Sequence, residues 1–134
     1  MSKGAIFITT CCKEKDTRPG LLPAIQRYRS DRITWAYAES QRLGLDLLIL
    51  SGQFGLLRPE DPIPWYDHAL QMEEIDALVP PVADELASLA MSEVFFIARS
   101  ASTPGWAPYH IALMQARQGT QTALNFIEWQ GGGD

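Results

Sequence analysis

Residues 4–10 read GAIFITT and decide the fold, because they form a short apolar run with no alternation between apolar and polar positions. Such a run is typical of a β-strand that is covered on both faces. Two further apolar runs lie at 45–50 and 94–98, and helical patterns separate the three. Buried strands that alternate with helices predict a mainly parallel sheet between two helical layers. We therefore expect an α/β, three-layer sandwich of four to five strands, of the Rossmann-like kind.

Spacing and capping residues predict the other elements. Apolar positions with helical spacing predict a helix over 32–43, which Ser30 or Asp31 can cap and which Gly44 ends. The remaining segments are a turn-rich stretch over 51–67, a helix over 73–89 that Pro80-Pro81 interrupts or restarts, a helix over 107–117, and a last strand at a sheet edge over 122–129.

Length and composition indicate a single globular domain. The chain has 134 residues, of which 46% are hydrophobic and 20% charged, so we expect one α/β domain over 1–130 and a flexible tail over 131–134. No apolar run reaches the roughly 18 residues that a membrane span needs. The N-terminus lacks the apolar core of a signal peptide. Cys11 and Cys12 are neighbours, which is poor geometry for a disulfide, so we expect a reducing, cytoplasmic location.

Charge is unevenly distributed along the chain. Eleven basic and sixteen acidic residues give a net charge of −5, which argues against broad binding of duplex DNA. The first 32 residues, however, carry seven basic and three acidic side chains. This segment predicts contact with one anionic ligand. The alternative is that Arg27, Arg29 and Arg32 form a solvated helix face.

The loops that follow the three buried strands hold the unusual residues. They begin at Cys11, Ser51 and Arg99, and in parallel sheets ligands bind beyond the carboxyl ends of the strands. In the first loop Lys13 and Lys15 can hold a phosphate or carboxylate. The loop has no P-loop pattern, so ATP hydrolysis is not predicted.

Cys11 has two interpretations. It is a candidate catalytic nucleophile if the nearby lysines activate it. A cysteine at a strand end is also commonly a small buried apolar side chain, and the sequence identifies no base beside it.

The second loop combines glycines, hydrogen-bonding groups and aromatic rings. This mixture suits a planar heterocycle, which is held by stacking and by hydrogen bonds to its edge. The candidate ligand-binding residues are Ser51, Gly52, Gln53, Phe54, Gly55 and Tyr66. Asp67 is either a general base at this site or the cap of the next helix.

The third loop contributes Tyr109, which we expect to reach back over the strand ends and bind the ligand. His110 and His68 are more commonly structural residues than catalytic ones. Two histidines without suitably spaced cysteines or carboxylates do not predict a zinc site, and no metal or other cofactor is expected.

Two motifs carry a resemblance to known proteins: TTCCKEK at 9–15, and SGQFGLLRP at 51–59 followed by IPWYD at 63–67. Together they resemble an uncharacterised bacterial and phage domain family with a Ser-Cys-x-x-Lys-x-Lys loop and a Ser-x-x-Tyr-Gly-Leu…Tyr-Asp signature. More remotely they are similar to a domain of archaeosine synthase and of archaeal tRNA-guanine transglycosylase relatives. The resemblance implies a uracil-DNA-glycosylase-like fold and points to Cys11, Lys13, Lys15, Ser51, Gly52, Gly55, Tyr66 and Asp67.

The chain departs from that family pattern in two places. Cys11-Cys12 stands where the pattern has Ser-Cys or Cys-Ser, and Phe54 replaces a tyrosine, which removes a hydroxyl. The Asp-Pro-Tyr and His-Pro-Ser motifs of the glycosylases themselves are missing, so a shared fold does not transfer their activity.

The sequence supports three functional hypotheses. The first is an enzyme that acts on a nucleobase, nucleoside or nucleotide and cleaves or exchanges an N-glycosidic bond. The second is a non-catalytic domain that recognises a nucleotide or a nucleic-acid end. The third is a protein-interaction subunit that uses Trp35, Trp65 or Trp106; the sequence makes no prediction of oligomeric state.

Overall fold

The central strand of the sheet is β1 (Ala5–Thr10), which lies in the run where apolar and polar positions do not alternate. In the computed structural model, which describes residues 4–132, every β1 side chain after Ala5 is buried. Strand β1 pairs in parallel with β3 (Leu47–Ser51) on one side and with β6 (Glu93–Ala98) on the other. Its position between two strands and two helical layers explains why it is apolar throughout.

Two further strands complete a five-stranded sheet in the order β4-β3-β1-β6-β7. Strand β4 (Gly55–Leu57) is antiparallel to β3, and β7 (Ala123–Glu128) is parallel to β6 at the opposite edge. The short strands β2 (Leu22–Pro23) and β5 (Pro62–Ile63) form a separate antiparallel pair. The predicted α/β class, the mainly parallel sheet and the edge position of the last strand are confirmed.

The helices form the outer layers. They are α1 (Ala24–Arg27), α2 (Asp31–Leu43), α3 (Ile75–Leu89) and α4 (Ala107–Arg117). Helix α2 packs on β1, whereas α3 and α4 pack on each other. Since crossovers between parallel strands are right-handed, the steps from β1 to β3 and from β3 to β6 put α2 and α3 on opposite faces. The result is the expected three-layer sandwich.

The structure corrects two sequence predictions. Helix α3 runs without interruption through Pro80 and Pro81. Both prolines are exposed, as are Asp76 and Ala77, so the carbonyls that lose their intrahelical donors face water. The stretch 51–67 also contains β4 and β5 and is therefore not only turns.

Neighbouring strands β1 and β6 send their following loops to opposite faces of the sheet, which opens a crevice at their carboxyl ends.

Within the predicted tail, the Gly131 carbonyl accepts a hydrogen bond from Arg99 Nη2 at 2.7 Å; 133–134 lie outside the described residues. Across 4–132, no helix combines the length and the apolar character that crossing a membrane requires.

Candidate functional site

A cleft of about 390 Å³ opens where β1 and β6 end. All three of the loops that the sequence singled out contribute to it. Its walls are Thr10, Cys11, Cys12, Lys13 and Lys15 from the first loop, Asp67, His68 and Ala69 from the second, and Pro104, Gly105, Trp106 and Tyr109 from the third. Predicted site residues Cys11, Lys13, Lys15, Asp67 and Tyr109 are thus brought together.

Lys15 is the buried cation of this cleft. An antiparallel bridge between Lys15 and Tyr28 fixes its backbone, and only 9% of the residue is exposed. Its Nζ lies 4.5 Å from the centre of the Tyr66 ring and donates to the Lys13 carbonyl at 3.4 Å. No carboxylate in the described part of the chain forms an ion pair with it. Lys13 is exposed at the mouth of the cleft.

The arginines of the cationic segment do not form one solvated face, because two of them are fully buried. Arg27 donates to the carbonyls of Asp16, Arg18, Gly20 and Ile63, which fastens the first loop to the second. Arg32 donates from Nη1 to Thr10 O at 2.9 Å and from Nη2 to Cys11 O at 3.2 Å, and its guanidinium carbon lies 4.8 Å from the centre of a Trp106 ring. Arg29 is exposed and pairs with Asp16 at 3.4 Å.

Tyr109 links the first loop to the second, as expected of a residue that reaches over the strand ends. Its hydroxyl accepts from the Leu70 N–H at 3.0 Å and lies 3.5 Å from Cys11 Sγ. Burial raises the pKa of Tyr109 well above its usual range, so the phenol stays neutral. Leu70 in turn packs against Gly52, where a Cβ would approach Leu70 Cβ to 2.9 Å.

Most of the second loop supports the cleft from behind and does not line it. The buried Ser51 Oγ accepts from the N–H groups of Gln53 and Phe54, each at 3.1 Å, and lies 2.9 Å from Tyr66 Oη. Gln53 and Phe54 are exposed outside the cleft, and the Phe54 ring packs edge-on against Tyr66 at 5.0 Å. Gly55 has φ +76°, the conformation that favours glycine there.

Asp67 is exposed on the cleft wall and does not cap the next helix. That role falls to Gln71, which forms a capping box with Glu74 at the start of a 3₁₀ turn, Met72–Glu74. The prediction of Asp67 as a cap is therefore wrong. His68 Nε2 lies 2.9 Å from Glu74 Oε1, and His110 Nε2 lies 2.7 Å from the Arg99 carbonyl.

Sequence reasoning missed Tyr28 and did not assign Trp106 to the ligand site. Tyr28 is 4% exposed, and its hydroxyl lies 2.5 Å from that of Tyr66. It precedes α2 and follows no sheet strand, so the strand-end argument did not reach it. Trp106 lies in the third loop, where its ring lines the cleft.

A second groove, of about 610 Å³, lies between α4 and β7. It is larger, and its walls combine Phe96, Met114 and Phe126 with polar residues, but it does not lie between the ends of β1 and β6. We therefore assign the candidate site to the smaller cleft, which holds the lysines.

Comparison with protein-family models, with curated proteins and with solved structures finds no match. The resemblance to glycosylase-like domains therefore stays a prediction. Within residues 4–132 no group of three or more histidine, cysteine or acidic side chains is arranged to hold a metal ion.

Proposed function

We propose that the cleft binds a nucleobase, nucleoside or nucleotide, with phosphate beside Lys13 and Lys15. The observation that carries this proposal is the buried ammonium of Lys15, which has no carboxylate partner among the described residues. Burying a cation is costly unless an anion compensates it. An anionic ligand would supply that compensation when it occupies the cleft.

Aromatic side chains on the same cleft support a planar ring as the rest of the ligand. Trp106 and Tyr109 both line the cleft, and their ring centres lie 6.2 Å apart. In this proposal they take the stacking role that the sequence gave to Phe54 and Tyr66. The cleft volume of about 390 Å³ is in the range of small-molecule sites. A uracil-DNA-glycosylase-like fold and a cytoplasmic location belong to the same proposal.

Cleavage or exchange of an N-glycosidic bond is a second candidate function. It is favoured by the Asp67 carboxylate, which lies on the same cleft as the lysines and can act as general base or stabilise oxocarbenium-like charge. Its test is mass spectrometry of nucleosides, nucleotides and single-stranded DNA after incubation with the protein. Base released by the natural protein but not by Asp67→Asn supports catalysis. If neither protein releases base, ligand binding without catalysis is the remaining function.

Binding itself is tested by calorimetric titration with the four common nucleoside 5′-monophosphates and the matching nucleosides. We expect a monophosphate to bind and Lys13→Ala or Lys15→Met to weaken it about tenfold or more, the loss of one charge-assisted hydrogen bond. Arg42→Met is the matched control, because Arg42 is an exposed cation whose ion-pair partner among residues 4–132 is Glu39 alone. No heat of binding with any of the eight compounds would refute the proposal.

A further inference from the structure

Strand β7 ends the sheet, and its outer edge pairs with no other strand between residues 4 and 132. It runs for six residues in continuous register with β6. Proteins commonly protect such an edge with a lysine, a proline, a bulge or a very short strand. The opposite edge is protected by its length, since β4 has only three residues. Strand β7, with the sequence ALNFIE, has none of these features, so its edge is open to another strand.

The backbone groups along this edge follow from two hydrogen bonds. The N–H groups of Ala123 and Trp129 donate toward β6, over 2.9 and 2.8 Å. Successive residues of a strand direct their backbone polar groups to alternate sides, so the odd-numbered residues bond to β6 and the even-numbered ones face outward. Leu124, Phe126 and Glu128 therefore offer three N–H and three C=O groups to a partner strand.

One face of β7 also carries an exposed aromatic side chain. Phe126 is 48% exposed, and Met114 on the neighbouring helix α4 is 55% exposed; both line the groove between α4 and β7. The Phe126 ring already packs edge-on against His110, with ring centres 5.1 Å apart. Because the ring is held before any partner binds, covering it costs little conformational entropy.

Opposite charges lie near the two ends of the same face. Arg117, the last residue of α4, lines the groove together with Leu124 near the start of β7. Glu128 is the last residue of β7, and alternation places it on the face of Leu124. Neither charge forms an ion pair with another residue of the described part of the chain. A second copy of β7 that runs in the opposite direction brings its Glu128 towards Arg117.

We propose that two copies of this chain pair through β7, antiparallel about a two-fold axis at Phe126, so that the two five-stranded sheets become one. A two-fold axis makes identical edge strands antiparallel. With Phe126 opposite the partner's Phe126, Leu124 lies opposite the partner's Glu128, and all the outward backbone groups are used in six hydrogen bonds.

The side chains agree with this register. Residues directly opposite each other in an antiparallel pair share a face, so the two phenyl rings cover each other at the axis. On either side of the axis, Arg117 of one copy meets the partner's Glu128. The inference goes beyond the proposed function and is independent of the ligand, because the cleft lies at the ends of β1 and β6 and not at the edge of β7.

Sedimentation equilibrium of the natural protein, at concentrations up to about 1 mM, tests the dimer. We expect twice the 14.9 kDa mass of the single chain. Phe126→Lys places two like charges at the axis and should weaken the dimer about tenfold or more. Leu43→Lys is the matched control, because Leu43 is also 48% exposed but lies at the end of α2 that leads into β3. It should leave the dimerisation constant unchanged.

Charge reversal tests the register with side chains that are at least partly exposed, so that the fold is kept. Arg117→Glu alone should weaken the dimer about tenfold, because the new carboxylate faces the partner's Glu128. Adding Glu128→Arg to the same chain should restore the dimer, since it returns opposite charges to the two positions.

A natural protein that stays monomeric throughout this range would overturn the dimer and leave the edge of β7 to an extended segment of another protein. A dimer that Phe126→Lys does not weaken would overturn pairing through β7. If the double charge reversal does not restore what Arg117→Glu removes, the antiparallel register at Phe126 is wrong. None of these results bears on nucleotide binding in the cleft.

Discussion

Gly52 is the residue at which the second loop packs most tightly against its own later part, at Leu70. A Cβ there would lie 2.9 Å from Leu70 Cβ and 3.0 Å from the Leu70 nitrogen, whose N–H binds Tyr109. Gly52→Ala should therefore displace Leu70 and lower the free energy of unfolding by about 1–3 kcal/mol in denaturant titration. Gly119→Ala is the control, because nothing lies within 4 Å of its added Cβ. Equal stability of the two variants would contradict the close contact.

Arg27 gives a second prediction for a single residue. Its guanidinium is fully buried and donates to four backbone carbonyls of two loops. Arg27→Met should cost about 3 kcal/mol or more of unfolding free energy, because it leaves several buried carbonyls without donors. Arg42→Met, in an exposed pair, should change it by about 0.5 kcal/mol or less. A stable Arg27→Met protein would show that water replaces these bonds.

Individual residues differ in how far the sequence revealed them. Lys13 and Lys15 were predictable, because charged residues directly after a buried strand reach the sheet's carboxyl edge. The burial of Arg27 and Arg32 was not, since their acceptors are backbone carbonyls that carry no signature in the sequence. The place of Tyr28 depends on contact with Tyr66, 38 positions away, which local patterns do not encode.

At the scale of an element, the start of α2 is set by Ser30. Its side chain accepts from the Ile33 N–H at 3.2 Å, which satisfies one donor of the first helical turn. Ser30→Ala should lower the free energy of unfolding by about 1 kcal/mol. Thr34→Ala, at an exposed position of the same helix, should leave it unchanged or raise it by a few tenths, since alanine is the better helix former. If the free energy of unfolding falls in both variants, or in neither, Ser30 does not stabilise α2 as its cap.

Strands and helices with strong patterns were predictable to within a few residues, β1 and α4 among them. Segments decided by tertiary contact were not. Strand β4 has only three residues, too few for a pattern, and forms because β3 offers an unpaired edge. The prolines of α3 are tolerated because their face of the helix meets water, which the sequence alone did not specify.

At the scale of the whole molecule, the surroundings of Asp16 predict how the free energy of unfolding depends on pH. Hydrogen bonds from Arg18 hold the pKa of the Asp16 carboxyl well below its usual range, and Arg29 adds to the effect. A carboxyl whose pKa is lower in the folded than in the unfolded protein stabilises the fold at pH values above its unfolded-state pKa. This contribution is lost as the pH falls from that value towards the folded-state pKa. Between about pH 5 and about pH 2 the natural protein should therefore lose more unfolding free energy than Asp16→Asn does.

Glu39→Gln is the control for that comparison. Its pair with Arg42 is on the surface and screened by solvent, so its acid-dependent loss should stay close to that of the natural protein. If the free energy of unfolding falls equally with pH in the natural protein and in Asp16→Asn, the hydrogen bonds of Asp16 with Arg18 and Arg29 do not contribute to stability in acid.

The central claim concerns the molecule as a whole: three strand-end loops meet in one cleft that binds a nucleotide or one of its parts. An NMR titration of amide shifts with nucleoside 5′-monophosphates tests it most directly. We predict saturable changes that cluster at 10–15, 67–69 and 104–109, which line the cleft. Changes that cluster instead around Phe96, Met114 and Phe126 in the groove between α4 and β7, or no changes at all, would contradict it.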